Sequence, residues 1–242
     1  MYNLEDMENY YKVNDRVNGY LVRKIIGEGR YGIAYLVTND QNEQYVLKQI
    51  KKESNKETNE NLFYEEKTLR SLDYSCFPKF ISKFEDKYGE CYVLEYIDGT
   101  VFEDLIVEDK HIFSKDEIYN VGSQLLELVE ILQNNNIVHR DIRLPNVILK
   151  KNKEIALIDF GLARFIDNDR YLKEIDYWWI GDFLIFLYYS SYTETNSEER
   201  PWFEELELNI DEKIFLKRLM GIEERYKDIK DIKEQLEIIK NK

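Results

Sequence analysis

Several classes of protein are excluded by what this chain of 242 residues lacks. It has only two cysteines, Cys76 and Cys91, and neither sits in a metal-spaced cluster, so a zinc module and a disulfide framework are both excluded. Basic charge is short: 34 Lys and Arg against 48 Asp and Glu leave a formal charge of −14, which opposes generic attraction to nucleic acid or anionic lipid. No apolar run approaches the ~18 residues of a membrane span. The densest stretch, Ile175 to Tyr189, is interrupted by Asp176 and Asp182. The first residues, Met1-Tyr2-Asn3-Leu4-Glu5-Asp6, lack the basic start and apolar core of a signal peptide. Internal repeats and low-complexity segments are also missing. A soluble protein of the reducing cytoplasm is expected, with no nucleic-acid partner and no membrane span.

The 43% hydrophobic content can fill one substantial domain or two small lobes. After an acidic leader over 1–15, Tyr20 to Ile26 and Ile33 to Val37 read as strands on either side of a glycine-rich turn, and Gln44 to Ile50 reads as a third. Asn39-Asp40-Gln41-Asn42 carries turn chemistry between the second and third. Lys51 to Asn61 reads as a polar connection. Leu62, Phe63, Leu69 and Leu72 then recur at helical spacing and predict an amphipathic helix against the meander. Strands near Phe80–Glu85 and Glu90–Glu95 complete a five-stranded antiparallel lobe with one helix. The pattern breaks at Asp98-Gly99, which divides a first lobe, 16–97, from a second, mainly helical lobe, 98–242. There Ser114 and Glu117 form a capping box ahead of a stripe of Ile118, Val121, Leu125, Leu128, Val129 and Leu132. Short strands are expected at Val147–Leu149 and Ile155–Ile158.

Chemistry concentrates at two ordered motifs, His139-Arg140-Asp141-Ile142-Arg143-Leu144-Pro145-Asn146 and Asp159-Phe160-Gly161. Together they offer a base, Asp141, and two hard-oxygen ligand positions for Mg²⁺, Asn146 and Asp159, which are parts that phosphoryl transfer from ATP requires. Arg143, two residues after the base, can neutralise the transferred phosphate, and His139 is expected to pack the loop. Gly27-Glu28-Gly29-Arg30-Tyr31-Gly32 lies between two strands, so its backbone N–H groups can approach phosphates. A dinucleotide fold would need a helix there, and the β-like Ile33–Val37 excludes it. Lys48 ends Val46-Leu47-Lys48 on the third strand, in reach of α- and β-phosphates. It needs a carboxylate to hold it; spacing to Leu69 and Leu72 favours Glu65, with Glu66 as the fallback.

These residues, in this order, resemble the eukaryotic-like protein kinase family from about Tyr20 to about Leu236. The resemblance implies an α+β, bilobal protein-kinase-like fold that uses ATP and Mg²⁺. It implies that Leu94 is the gatekeeper, that backbone groups of Glu95 and Ile97 hold adenine, and that Ala34, Val46 and Ile148 pack on its faces. It also makes Gly27, Gly29 and Gly32 the phosphate turn. Asp176-Tyr177-Trp178-Trp179-Ile180-Gly181 looks like the family's D-x-W-x-x-G, whose aspartate ties the catalytic loop, and Arg225 like the arginine before its last helix. The chain departs from the pattern after Gly161: Leu162 to Ile175 is short, no Ala-Pro-Glu follows, and Tyr171 is its only hydroxyl. Asp167 or Asp169 is therefore expected to give Arg140 a permanent carboxylate in place of a phosphate. Three functions follow: an ATP-dependent kinase acting on protein Ser/Thr, a small-molecule kinase acting on a sugar or lipid headgroup, or a nucleotide-binding pseudokinase.

Overall fold

A computed structural model of the chain describes residues 10–29, 32–50, 56–193 and 200–242, with the side chains of 56–62 left aside. It divides into two compact units, one ending at Ile97 and the other running from Asp98 to Lys242.

The first unit is an antiparallel sheet with one helix. Its strands are β1 (Arg16–Val17), β2 (Tyr20–Glu28), β3 (Gly32–Thr38), β4 (Gln44–Ile50), β5 (Phe80–Asp86) and β6 (Gly89–Glu95), and helix α1 (Lys56–Ser71) lies between β4 and β5 in the chain. The sheet order is β1-β2-β3-β4-β6-β5, six strands where five are predicted. The extra strand is a short hairpin arm. Asn18 and Gly19 both adopt positive φ, 46° and 86°, the turn that Asn-Gly favours, and Val17 pairs with Tyr20. Between β3 and β4, Asn39 Oδ1 accepts from the backbone of Gln41 and Glu43 at 3.0 and 2.9 Å, closing the predicted turn.

Period-2 alternation gives this sheet two different faces. Val22, Ile33, Tyr35, Val37, Leu47, Cys91 and Val93 form a buried core on one face. Tyr11 belongs to this core and Tyr10 packs against it, both within the leader predicted over 1–15, of which 1–9 lie outside the described residues. Tyr11 OH donates to Asp86 Oδ2 at 2.7 Å, which satisfies the one polar atom this ring buries. Alternate residues, Ala34, Val46 and Lys48, are half-buried on the other face. Helix α1 buries Glu65, Thr68 and Leu69, which share one side at helical spacing, and Leu72 is buried just past its end. Phe63, predicted for that side, is 57% exposed instead, because two positions before Glu65 falls about 160° away around the helix. The connection expected over Lys51–Asn61 is shorter, since α1 begins at Lys56; 51–55 lie outside the described residues, as does the side chain of Leu62.

The second unit is mainly helical. Strand β7 (Thr100–Val101) leads into the short helix α2 (Phe102–Val107) and then α3 (Lys115–Asn134), which begins with the predicted Ser114–Glu117 capping box. All six predicted stripe residues of α3 are buried. Strands β8 (Ile137–Val138), β9 (Val147–Leu149), β10 (Ile155–Leu157) and β11 (Arg164–Phe165) follow, pairing as β10-β9-β7 and β11-β8. Four helices finish the chain: α4 (Glu174–Tyr189), α5 (Trp202–Glu205), α6 (Ile210–Met220) and α7 (Ile229–Lys240). Glu212 of α6 ties that helix to α3 and α4, accepting from Lys115 Nζ of α3 at 2.8 Å, from Tyr119 OH of α3, and from Tyr188 OH of α4 at 3.3 Å. Burial pushes its carboxyl up, but Lys115, Tyr119 and the Asn209 backbone outweigh it and hold the group below its ordinary range. No helix among the described residues is long and apolar enough to cross a membrane.

Candidate active site

In the first unit, β4 and β6 pair antiparallel with Lys48 opposite Tyr92. Both side chains meet Glu65 of α1: Lys48 Nζ lies 2.7 Å from Oε1, and Tyr92 OH donates to Oε2. Glu65 is only 2% exposed, so its charge is matched by an ammonium and a phenol in a place where an unmatched carboxylate would cost several kcal/mol. Glu66 turns away, pairing with Arg70 at 2.9 Å. The sequence gives no local hint of Tyr92, since its bond to Glu65 spans 27 residues. The signal lies in strand register, because a residue directly across from Lys48 shares its face.

Of the predicted phosphate turn, Gly27, Gly29 and Gly32 are described, while Arg30 and Tyr31 lie outside the described residues. A Cβ at Gly29 would meet nothing within 4 Å, so this backbone is open to a ligand. Gly32 has a different reason: a Cβ there would fall 2.3 Å from the carbonyl oxygen of Gln49, so β4 needs that glycine to approach. Leu94 is buried at the position after Val93 of the core. The Glu95 N–H donates to Lys79 O at 2.9 Å, and Glu95 pairs with Tyr45 across the sheet.

In the second unit the loop from His139 to Asn146 is held from beneath by Asp176 in the first turn of α4. Asp176 Oδ2 and Oδ1 accept the backbone N–H groups of His139 and Arg140, each at 2.8 Å. Those bonds fix Arg140 at φ 70°, a left-handed conformation that a non-glycine residue adopts only when its surroundings impose it. Asp176 is fully buried, and burial pushes its carboxyl up to about 6 while the two backbone donors pull the other way. The His139 ring packs edge-on to Phe160 with centroids 4.7 Å apart, joining the two motifs.

Asp141 is held by its own near neighbours. Arg143 grips it with a two-pronged bond, Nε to Oδ1 at 2.5 Å and Nη2 to Oδ2 at 3.0 Å. Asn146 Nδ2 donates to Asp141 Oδ2 at 2.8 Å and to its backbone carbonyl at 2.9 Å. The Asp141 bond holds the Arg143 guanidinium above its ordinary range, despite partial burial and with Asp159 adding its field. Asp159 sits at φ 63° with its side chain exposed and Oδ1 3.4 Å from the N–H of Gly161. Ile148 lies on β9, across from Val101 and Ala156.

Magnesium fits this donor set. The amide nitrogen of Asn146 is committed to Asp141, so its oxygen is free to turn to a cation, and Asp159 offers a carboxylate on a strained turn. No group of three or more His, Cys, Asp or Glu among the described residues could hold a metal ion. One amide oxygen and one carboxylate suit a small hard cation that takes its remaining ligands from phosphate and water.

The segment after Gly161 corrects one expectation. Neither Asp167 nor Asp169 pairs with Arg140. Asp167 Oδ1 instead accepts the backbone N–H groups of Asp169, Arg170 and Tyr171 at 3.0, 2.9 and 2.8 Å, and these donors hold its carboxyl below the usual range. The Arg140 guanidinium donates to Leu162 O at 3.0 Å and lies 4.8 Å over the ring of Tyr171. A flat, half-buried guanidinium is better met by an aromatic face than by an exposed carboxylate already occupied by its own loop. Arg225 packs instead over Gly221, where a Cβ would come 2.3 Å from its Nε.

The family described as protein kinase domain matches residues 20–214. The chain belongs to the protein kinase family, whose members transfer phosphate from ATP. It is 34% identical over 225 residues to the probable serine/threonine-protein kinase YbdM of Bacillus subtilis (strain 168), covering 90% of this chain and 88% of that protein. It is 30% identical over 157 residues to the serine/threonine-protein kinase Nek6 of Oryza sativa subsp. japonica and 32% identical over 157 residues to Nek11 of Homo sapiens. Those alignments cover 62% and 61% of this chain but only 29% and 24% of the two relatives' length.

Proposed function

We propose that this chain is a cytoplasmic, ATP- and Mg²⁺-dependent protein kinase that phosphorylates Ser or Thr hydroxyls, with Asp141 as its base. The observation that carries the reading is the pre-set Asp141 carboxylate, oriented by Arg143 and Asn146 before any substrate arrives. In the transfer, the bond from the γ-phosphorus to the bridging oxygen of ADP breaks as a bond to the acceptor oxygen forms. The hydroxyl proton goes to Asp141. Arg143 keeps a positive charge beside that carboxylate, where the transferred group's negative charge has to arrive. Lys48, oriented by Glu65 and Tyr92, meets the α- and β-phosphates, and the open space over the backbone of Gly29 in the Gly27–Gly32 turn lets phosphate approach closely. Ala34 and Val46 of the first unit supply apolar surface for adenine, and the backbone of Glu95 and Ile97 its hydrogen bonds. Bound Mg²⁺, held by Asn146 and Asp159, supplies charge neutralisation on the phosphates.

The serine/threonine assignment draws support from the relatives, which are serine/threonine-protein kinases by name. The short stretch from Leu162 to Ile175, without Ala-Pro-Glu, favours a second reading in which the hydroxyl belongs to a small molecule. Incubation with labelled ATP and Mg²⁺, across generic proteins and a panel of sugars and lipid headgroups, separates the two. Label on protein Ser or Thr, lost in Asp141→Asn, supports the first. Label on small molecules alone would replace it with the second, and tight ATP binding without any transfer would leave only a nucleotide-binding pseudokinase.

A further inference from the structure

Helix α4 is apolar almost all the way round, and the second unit covers only part of it. Its buried side chains occupy most of the circumference: Tyr177, Ile180, Phe183, Leu184, Leu187 and Tyr188 are all within the core. At about 100° per residue, the uncovered positions fall on one arc about 140° wide: Ile175, Trp178, Trp179, Asp182, Phe186 and Tyr189, with Glu174 at its edge. Trp178 and Phe186 are 38% and 49% exposed. The rings of Trp178 and Trp179 stand at right angles with centroids 5.0 Å apart, presenting both an edge and a face. Tyr189 OH donates to Glu205 of α5 at 2.6 Å, so that end of the arc is covered, and the open part is centred on Trp178, Asp182 and Phe186.

Asp182 is the charge near the middle of the arc, and Glu174 stands at its edge in the first turn. Asp182 is half-buried, and among the described residues no hydrogen bond or ion pair reaches its carboxyl. It stands one helical turn from Trp178 and one from Phe186, on the same side. Burial alone pushes its carboxyl above the usual range, with no donor opposing the shift. A partly desolvated carboxylate without a partner, ringed by aromatic surface, is a cost that the free protein carries.

We propose that this arc of α4 is a docking surface for a basic segment of a partner protein, in which an arginine or lysine flanked by apolar side chains pairs with Asp182 and lies against Trp178. A cation placed there gains the carboxylate and the indole face together, and its apolar neighbours cover Phe186. The net charge of −14 steers the same class of partner. A second copy of this chain is a poor occupant, since a twofold contact on this arc would set Asp182 against its own counterpart.

The site requires no nucleotide and no phosphoryl transfer, so its test contains neither. The probe is a synthetic peptide with a Leu-Leu-Arg-Leu-Leu core in a Gly-Ser frame, compared with the same peptide carrying Glu in place of Arg, by calorimetry and tryptophan emission. The Arg peptide is expected to bind and the Glu peptide to bind at least tenfold more weakly. Asp182→Asn should weaken the Arg peptide about tenfold, while its thermal midpoint stays equal to the parent's or rises. Trp178→Ala gives a second, independent loss of more than fivefold. Equal binding of the two peptides, an undiminished Kd for Asp182→Asn, or a dimer abolished by Phe186→Glu would each overturn the proposal.

Discussion

The two units hold their reactive charges by opposite means. In the first, Lys48 is placed by residues far away in sequence: Glu65 comes from a helix 17 positions on, and Tyr92 from a strand 27 beyond that. In the second, Asp141 is placed by Arg143 and Asn146, two and five residues away, on a loop that one carboxylate, Asp176, supports from below. A local device survives small movements of the surrounding fold, whereas a long-range one reports whether α1 is in place. The lysine therefore depends on tertiary packing and the aspartate on a short stretch of sequence.

The sharpest way to test that contrast begins with the base itself. Asp141→Asn is expected to lower kcat by about 10³-fold with nucleotide affinity retained, because it removes the proton acceptor and leaves the fold alone; single-turnover transfer and calorimetric ATP titration measure the two separately. Glu65→Gln should lower kcat/KM by about 10–100-fold, since Lys48 loses the charge that orients it. It should also shift the melting of the first unit, and an unchanged rate would show that the lysine is held by something other than Glu65. Arg143→Lys keeps the charge and loses the fork, so a loss of about three- to tenfold is expected. Tyr92→Phe removes one hydrogen bond to a charged group and should cost about 1–2 kcal/mol in chemical denaturation.

The smallest effect is on pH. Asp176 titrates near 6 in the folded protein and near 3.8 when unfolded. Between those values the native side chain keeps a proton that the unfolded chain releases, so this residue alone makes stability fall as pH rises across that window. Activity should move the other way. Protonation below about 6 removes one acceptor from the His139 and Arg140 backbone, and kcat should show an acid limb there that Asp176→Asn flattens.

This contrast also explains what the sequence discloses. The loop of Asp141, Arg143 and Asn146 is legible because its geometry is written within eight consecutive residues. Glu65 is legible at one remove, through the helical spacing that puts it on the side of Leu69 and Leu72. Tyr92 escapes because its partner is fixed by strand pairing, which sequence spacing does not express. The arm at Arg16–Val17 had a readable sign, Asn18-Gly19, and Phe63 was misplaced because apolar character was allowed to outweigh helical phase. The Arg140 contact failed as an expectation for a physical reason: charge alone suggested a carboxylate, but Asp167 was already occupied by three backbone amides.

That last arrangement bears on how the protein spends its conformational freedom. A loop closed by its own carboxylate loses its entropy while the chain folds, and Arg140 settles on a ring that is always present. The turn after Gly161 is in this sense a finished part: Asp167 closes it with three backbone amides of its own loop.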